Sequence, residues 1–90
     1  MKVKIDRSFE KDTNKINDQK LLQKVAACIQ HVVQCNSPQE ISNLKKLQGF
    51  RTHYRIRIGD FRVGVVIKND EVTFERFLSR KDIYKYYPKI

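Results

Sequence analysis

Ninety residues, 40% hydrophobic and 32% charged, suit one soluble globular domain, residues 1–90, with a single core and no length left for a second. Nothing approaches the roughly 18 uninterrupted apolar residues of a membrane span, and the N-terminal lysines flank no apolar run of a secretory kind. The expected location is the cytoplasm, with no membrane partner. A net charge of +9 points to nucleic acid, an anionic membrane surface or an acidic protein partner. The charge is uneven: six of the seven arginines, at 51, 55, 57, 62, 76 and 80, follow residue 50, and clustered guanidinium groups favour bidentate recognition.

In chain order, residues 1–6 alternate Val3 and Ile5 with lysines and predict a short strand. Ser8 is the expected cap of a first helix whose thin apolar stripe is Phe9, Thr13 and Ile16. Asn17 and Asp18 punctuate. A second helix is predicted from about Gln19 to Gln34, with Leu22, Val25, Ala26, Ile29, Val32 and Val33 inward and Lys20, Gln23, Lys24, Gln30 and Gln34 outward. Cys28 and Cys35, about 10 Å apart along one helix, are too distant for a disulfide and read as core or boundary residues. With two histidines and no CxxC spacing, no metal and no cofactor are expected. Asn36-Ser37-Pro38 ends the helix. Residues 39–51 are expected to form a helical turn and a loop ending at Gly49, with Lys45 and Lys46 exposed and available to a phosphate backbone.

From His53 to Val66 the pattern switches to a period of two: Tyr54, Ile56 and Ile58 face one way, His53, Arg55 and Arg57 the other. Gly59-Asp60 predicts a two-residue hairpin turn with glycine at positive φ. That turn sets Ile58 opposite Phe61, Arg57 opposite Arg62, Ile56 opposite Val63 and Arg55 opposite Gly64. Cross-strand guanidinium groups repel by roughly 0.2–1 kcal/mol, so a polyanion is the natural reason for them; a merely solvated sheet face is the competing reading. Asn69-Asp70 predicts a second tight turn, pairing Ile67 with Val72, Val65 with Phe74, Gly64 with Glu75 and Arg62 with Phe77. The polar face then collects His53, Arg55, Arg57, Arg62, Glu75, Phe77 and Ser79. An aromatic among arginines suits a surface that stacks unpaired bases, although burial of Phe77 under Tyr84, Tyr86 and Tyr87 is equally compatible. Arg80, Lys81 and Asp82 open a last turn or short helix that Pro88 stops. The expected architecture is α+β, in the order β-α-α-β-β-β, with the helices on one sheet face.

This order, with LKKLQGFRTHYRIRIGDFRVGVVI at 44–67 and RFLSRKDIYKYYP at 76–88, resembles the RelE/ParE superfamily of toxins from type II toxin–antitoxin pairs, in its RelE-like branch. The resemblance implies a metal-independent endoribonuclease, an mRNA interferase. It would cut messenger RNA in the ribosomal A site and be silenced by an acidic antitoxin. It also implies roles: Arg55 and Arg57 at the two basic places before the central turn, Arg62 after it, Arg80 near the last strand's end, and Tyr84 as the residue that stacks on the substrate base. Lys45, Lys46, Phe77 and Lys81 are further RNA-binding candidates.

Two departures matter. RelE has lysines where Arg55 and Arg57 stand, and arginine, with a pKa above about 12, cannot act as a general base. Many relatives read His-Arg-Lys-Asp where this chain has Ser79-Arg80-Lys81-Asp82. Glu75 and His53 are the remaining candidate bases; a salt bridge from Glu75 to Arg55 or Arg62 and a surface role for His53 are the competing readings. The alternatives to a nuclease are a ParE-type inhibitor of DNA gyrase and a non-catalytic basic RNA-binding module. Self-association of the free toxin is not legible in the sequence.

Overall fold

The computed structural model describes residues 1–88; positions 89–90 of the expected 1–90 unit lie outside them. The elements run β1 (Lys2–Ile5), α1 (Arg7–Asn14), α2 (Gln19–Gln34), a 3-10 turn at Pro38–Glu40, β2 (Leu44–Lys46), β3 (His53–Ile58), β4 (Phe61–Lys68), β5 (Glu71–Ser79) and α3 (Arg80–Tyr86). One sheet contains all five strands in the order β1-β5-β4-β3-β2. β1 joins β5 in parallel and the other pairs are antiparallel.

The expected α+β order is present, with one strand more than the sequence predicts. Residues 44–46 form β2, pairing Leu44 with Ile56, Lys45 with Arg55 and Lys46 with Tyr54. Spacings of three at Ile41, Leu44 and Leu47 suggested a helical turn there. Three residues are too few to display a strand's alternation, and pairing with β3 decides their conformation.

Helix caps follow local chemistry. Asp6, not Ser8, caps α1, its carboxylate accepting the Ser8 N–H at 3.1 Å, so the helix starts two residues earlier than Ser8 implies. Asp18 caps α2 by accepting from Lys20 and Leu21. The buried stripe of α2 is also rotated from the predicted one. Val25 and Val32 are buried and Leu21, Cys28 and Ile29 pack on the core, whereas Ala26 and Val33 are exposed. Cys35 is buried too, so both cysteines serve as small apolar residues, and both are free.

The core lies between α1, α2 and one sheet face. Ile56, Ile58, Val63, Val65, Ile67, Val72, Phe74 and Phe77 supply the sheet side, and Phe9 meets Phe74 and Phe77 edge-on at 5.5 and 6.2 Å. Burying each such side chain fully contributes about 1.5–3 kcal/mol. The short third helix, α3, lies on the opposite face. Its Ile83 and the Tyr87 that follows are buried outside the main core, with Tyr87 over Gly64.

The first hairpin has the predicted register throughout, with Gly59 at φ 56°. The second turn is also as predicted, Asn69 and Asp70 both taking positive φ, and Ile67 faces Val72 and Val65 faces Phe74. Beyond that point the prediction fails. A bulge between Gly64 and Val65 leaves Glu75 extra, so Gly64 faces Arg76, Val63 faces Phe77 and Arg62 faces Leu78. One extra residue reverses which face the following side chains occupy. Phe77 is therefore in the core, 2% exposed and stacked on Phe61 at 4.9 Å, and belongs to no stacking surface.

Asp12 on α1 holds this irregular stretch. β1 ends opposite Phe74, leaving the far edge of β5 bare, and the Asp12 carboxylate accepts the Phe77 N–H at 2.9 Å. It also accepts two bonds from Arg76, at 2.8 and 3.2 Å, and this pairing raises the Arg76 pKa. Asp12 is only 8% exposed.

Candidate nucleic-acid interface

Strand parity places Arg55, Arg57 and Arg62 on the sheet face away from the core. Arg57 is directly opposite Arg62, and Arg55 is opposite Gly64. β2 extends the face, because Lys45 pairs with Arg55 and shares its side, whereas Lys46 pairs with Tyr54 and takes the other parity. Both lysines are exposed, but only Lys45 joins the arginines.

Arg80 comes to the same end of the sheet by a different route. Its backbone N–H donates to the Asp60 carbonyl at 2.9 Å, so α3 starts beside the Gly59-Asp60 turn, next to the Arg57–Arg62 pair. Ser79 caps this helix by accepting the Asp82 N–H. Tyr84, one turn after Arg80 and on the same stripe of α3, is 61% exposed. Lys81 is exposed in the first turn.

The arginines divide into two kinds. Arg76 has a carboxylate partner, Asp12. Among the described residues, Arg55, Arg57, Arg62 and Arg80 have no carboxylate within salt-bridge distance, and the only other such pair joins Lys4 to Glu71. Arg62 is fixed nonetheless. Its Nη1 donates to the carbonyls of Gly59 and Phe61 at 2.8 and 2.9 Å, and its buried Nε has no partner. Tethering to the turn holds one guanidinium of the facing pair in place and leaves its charge unneutralised.

The space above Gly64 is filled by the chain itself. A Cβ on Gly64 would lie 2.7 Å from the Tyr87 ring, and the Tyr87 hydroxyl donates to the Val65 carbonyl at 2.9 Å. Burial, with Glu75 close by, pushes the Tyr87 phenol pKa well up. His53 is half-buried, its ring 5.8 Å from Tyr87 and 5.2 Å from Phe50. Glu75 makes no salt bridge to Arg55 or Arg62. With His53, Asp6, Ser8, Arg76 and Tyr87 it lines a cavity of about 260 Å³. The two candidate bases thus share one cavity beside Tyr87.

A family model described as the ParE toxin of the type II toxin–antitoxin system parDE matches residues 3–84. The chain belongs to this toxin family. Within the wider RelE/ParE superfamily, it is 33% identical to Toxin RelE3 of Methanocaldococcus jannaschii, over 98% of this chain and all of that one. The toxin fold is also that of the RelB–RelE antitoxin–toxin complex from Methanococcus jannaschii, with a TM-score of 0.79, 29% identity, and 94% and 99% of the two chains covered. The YoeB dimer of Staphylococcus aureus shares the fold at a TM-score of 0.71 and 13% identity, with 89% and 97% covered.

Sequence reasoning placed Gly64 opposite Arg55 but missed what covers it, and it passed over Asp12. Asp12 lies three residues after Phe9 on the inward stripe of α1, and a carboxylate there signals a buried partner. Gly64, flanked by buried valines and opposite Arg55, signals a close approach from above, which Tyr87 makes.

Proposed function

We propose that this toxin is a ribosome-dependent endoribonuclease that cuts messenger RNA in the ribosomal A site. The observation that carries the reading is the group Arg55, Arg57 and Arg62 on one sheet face without carboxylate partners, while Arg76 has one. Cleavage requires the ribose 2′-OH to lose a proton, the phosphorane charge to be stabilised and the leaving 5′ oxygen to gain a proton. Arg57, Arg62 and Arg80 are assigned to charge stabilisation, Arg55 and Lys45 to phosphate binding, and Tyr84 to base stacking. His53 and Glu75, which share the cavity beside Tyr87, are the candidate bases. Neither arginine on β3 can act as a base, so charge and geometry dominate, with the ribosome contributing to proton transfer.

An acidic antitoxin is the proposed regulator. The toxin's charge of +9 favours an acidic partner, and the similar RelE is held in a complex with RelB. The family model's description names a ParE toxin, which favours a second reading; a toxin of that branch would act as an inhibitor of DNA gyrase.

Expression of the chain alone, with mapping of messenger RNA ends in translating cells, separates the readings. Codon-positioned cuts support the nuclease, and DNA breaks without RNA cuts support the gyrase inhibitor. Neither lesion leaves a non-catalytic RNA-binding module.

A further inference from the structure

Between α3 and the loop that joins β2 to β3 lies an open cleft of about 460 Å³, within the range of small-ligand sites. Leu47, Gln48 and Phe50 line it from the loop, and Tyr84, Lys85 and Tyr87 from the C-terminal side. Both sides carry an aromatic ring accessible to solvent, Tyr84 exposed and Phe50 half-buried. We propose that this cleft is a slot for one unpaired RNA base, with Phe50 as the second aromatic wall and Gln48 reading the base edge. The proposal rests on the RNA-directed reading above and deepens it: stacking on Tyr84 belongs to that reading, and the loop wall is the addition.

Three observations favour a nucleotide as the occupant. First, the wall is braced. Phe50 donates its N–H to the Leu47 carbonyl at 3.2 Å, Gly49 turns the loop at φ 85°, and the His53 ring supports Phe50 at 5.2 Å. Second, the mostly apolar slot has one cation in its lining and two more at the base of its loop wall. Lys85 lines it, and the Lys45–Arg55 pair lies at the foot of the same loop, where the phosphate of a stacked nucleotide would find charge. Third, the Gln48 side-chain amide can donate and accept together, as recognition of a base edge requires. Aromatic rings beside a basic groove are the usual means of holding single-stranded RNA.

The test uses the full chain and two probes, a short oligouridine and the same sugar–phosphate backbone without bases, with affinity read by fluorescence anisotropy. Phe50→Leu keeps apolar bulk but removes the ring. It is expected to weaken oligouridine binding roughly 5- to 150-fold, to leave the baseless backbone unaffected and to retain the wild-type melting temperature. Phe50→Trp should restore binding to near wild type. A Phe50→Leu variant that binds oligouridine like wild type, or loses equal affinity for both probes, overturns the slot. A slot that behaves as expected in a chain that cuts no ribosomal message would refute the nuclease reading alone. A cutting chain whose Phe50→Leu variant binds normally refutes the slot alone.

Discussion

Gly64→Ala tests how the helix bearing Arg80 and Tyr84 is held against the sheet. The new Cβ would lie 2.7 Å from Cε2 of Tyr87 and 2.8 Å from Cδ2 and Cζ, well inside the usual carbon contact of about 3.5–4.0 Å. The ring cannot turn aside freely. It is buried, its hydroxyl is bonded to the Val65 carbonyl, and Ile83 one turn earlier is buried as well. Overpacking such a site costs about 1–3 kcal/mol, and pulling the hydroxyl from its acceptor adds roughly 1. A loss of about 2–4 kcal/mol is therefore expected in urea unfolding followed by circular dichroism. Tyr87→Ala removes the obstacle, so adding Gly64→Ala to that variant should change stability by less than about 0.5 kcal/mol. The reasoning is wrong if Gly64→Ala unfolds with the wild type, or if it costs as much with Tyr87 absent as with it present.

Other perturbations address the remaining links. Asp12→Ala strands the Phe77 N–H and the Arg76 guanidinium and should cost about 2–4 kcal/mol by the same unfolding assay; Asp12→Asn, which retains an acceptor oxygen, should recover part of the loss. Burial pushes the Cys28 thiol from 9.0 up to about 11, so the unfolded chain loses that proton before the folded one. Stability should accordingly fall as pH rises from 9 to 11, by at most about 1.4 kcal/mol per unit from this group, and Cys28→Ala should flatten that part of the profile. RNA affinity should fall steeply with salt, and replacing Arg55, Arg57 and Arg62 together with alanine should reduce the logarithmic slope by roughly 2; an unchanged slope would mean they touch no phosphate. In growth assays, Arg62→Ala should abolish toxicity and Glu75→Gln should only weaken it, and the opposite order would shift the chemistry to Glu75.

What the sequence revealed and what it hid follow from the range of the interactions concerned. The Gly59-Asp60 turn determines cross-strand partners by counting, so Arg57 opposite Arg62 was legible from local chemistry. The Glu75 bulge was not. Its support comes from Asp12, more than sixty residues earlier, and no period within β5 announces the change of parity that buries Phe77. β2 was hidden for a related reason, since its three residues become a strand only through β3. Tyr84 and Arg80 were identifiable as candidates from the motif, but the placement of their helix depends on contacts across the fold, the Arg80 N–H with the Asp60 carbonyl and Tyr87 with Gly64. The competing salt-bridge reading of Glu75 assumed an unbroken register, and it fails with that register.

The central claim is that the unneutralised arginines grip a transcript on the ribosome for cutting. Purified toxin added to ribosomes programmed with a defined message, with the ends read by primer extension, tests it most directly. Wild-type toxin should cut within the A-site codon only when ribosomes are present, and the variant with Arg55, Arg57 and Arg62 replaced by alanine should leave the message intact. An uncut message with the wild-type toxin, or cutting by that variant at the wild-type rate, would contradict the account.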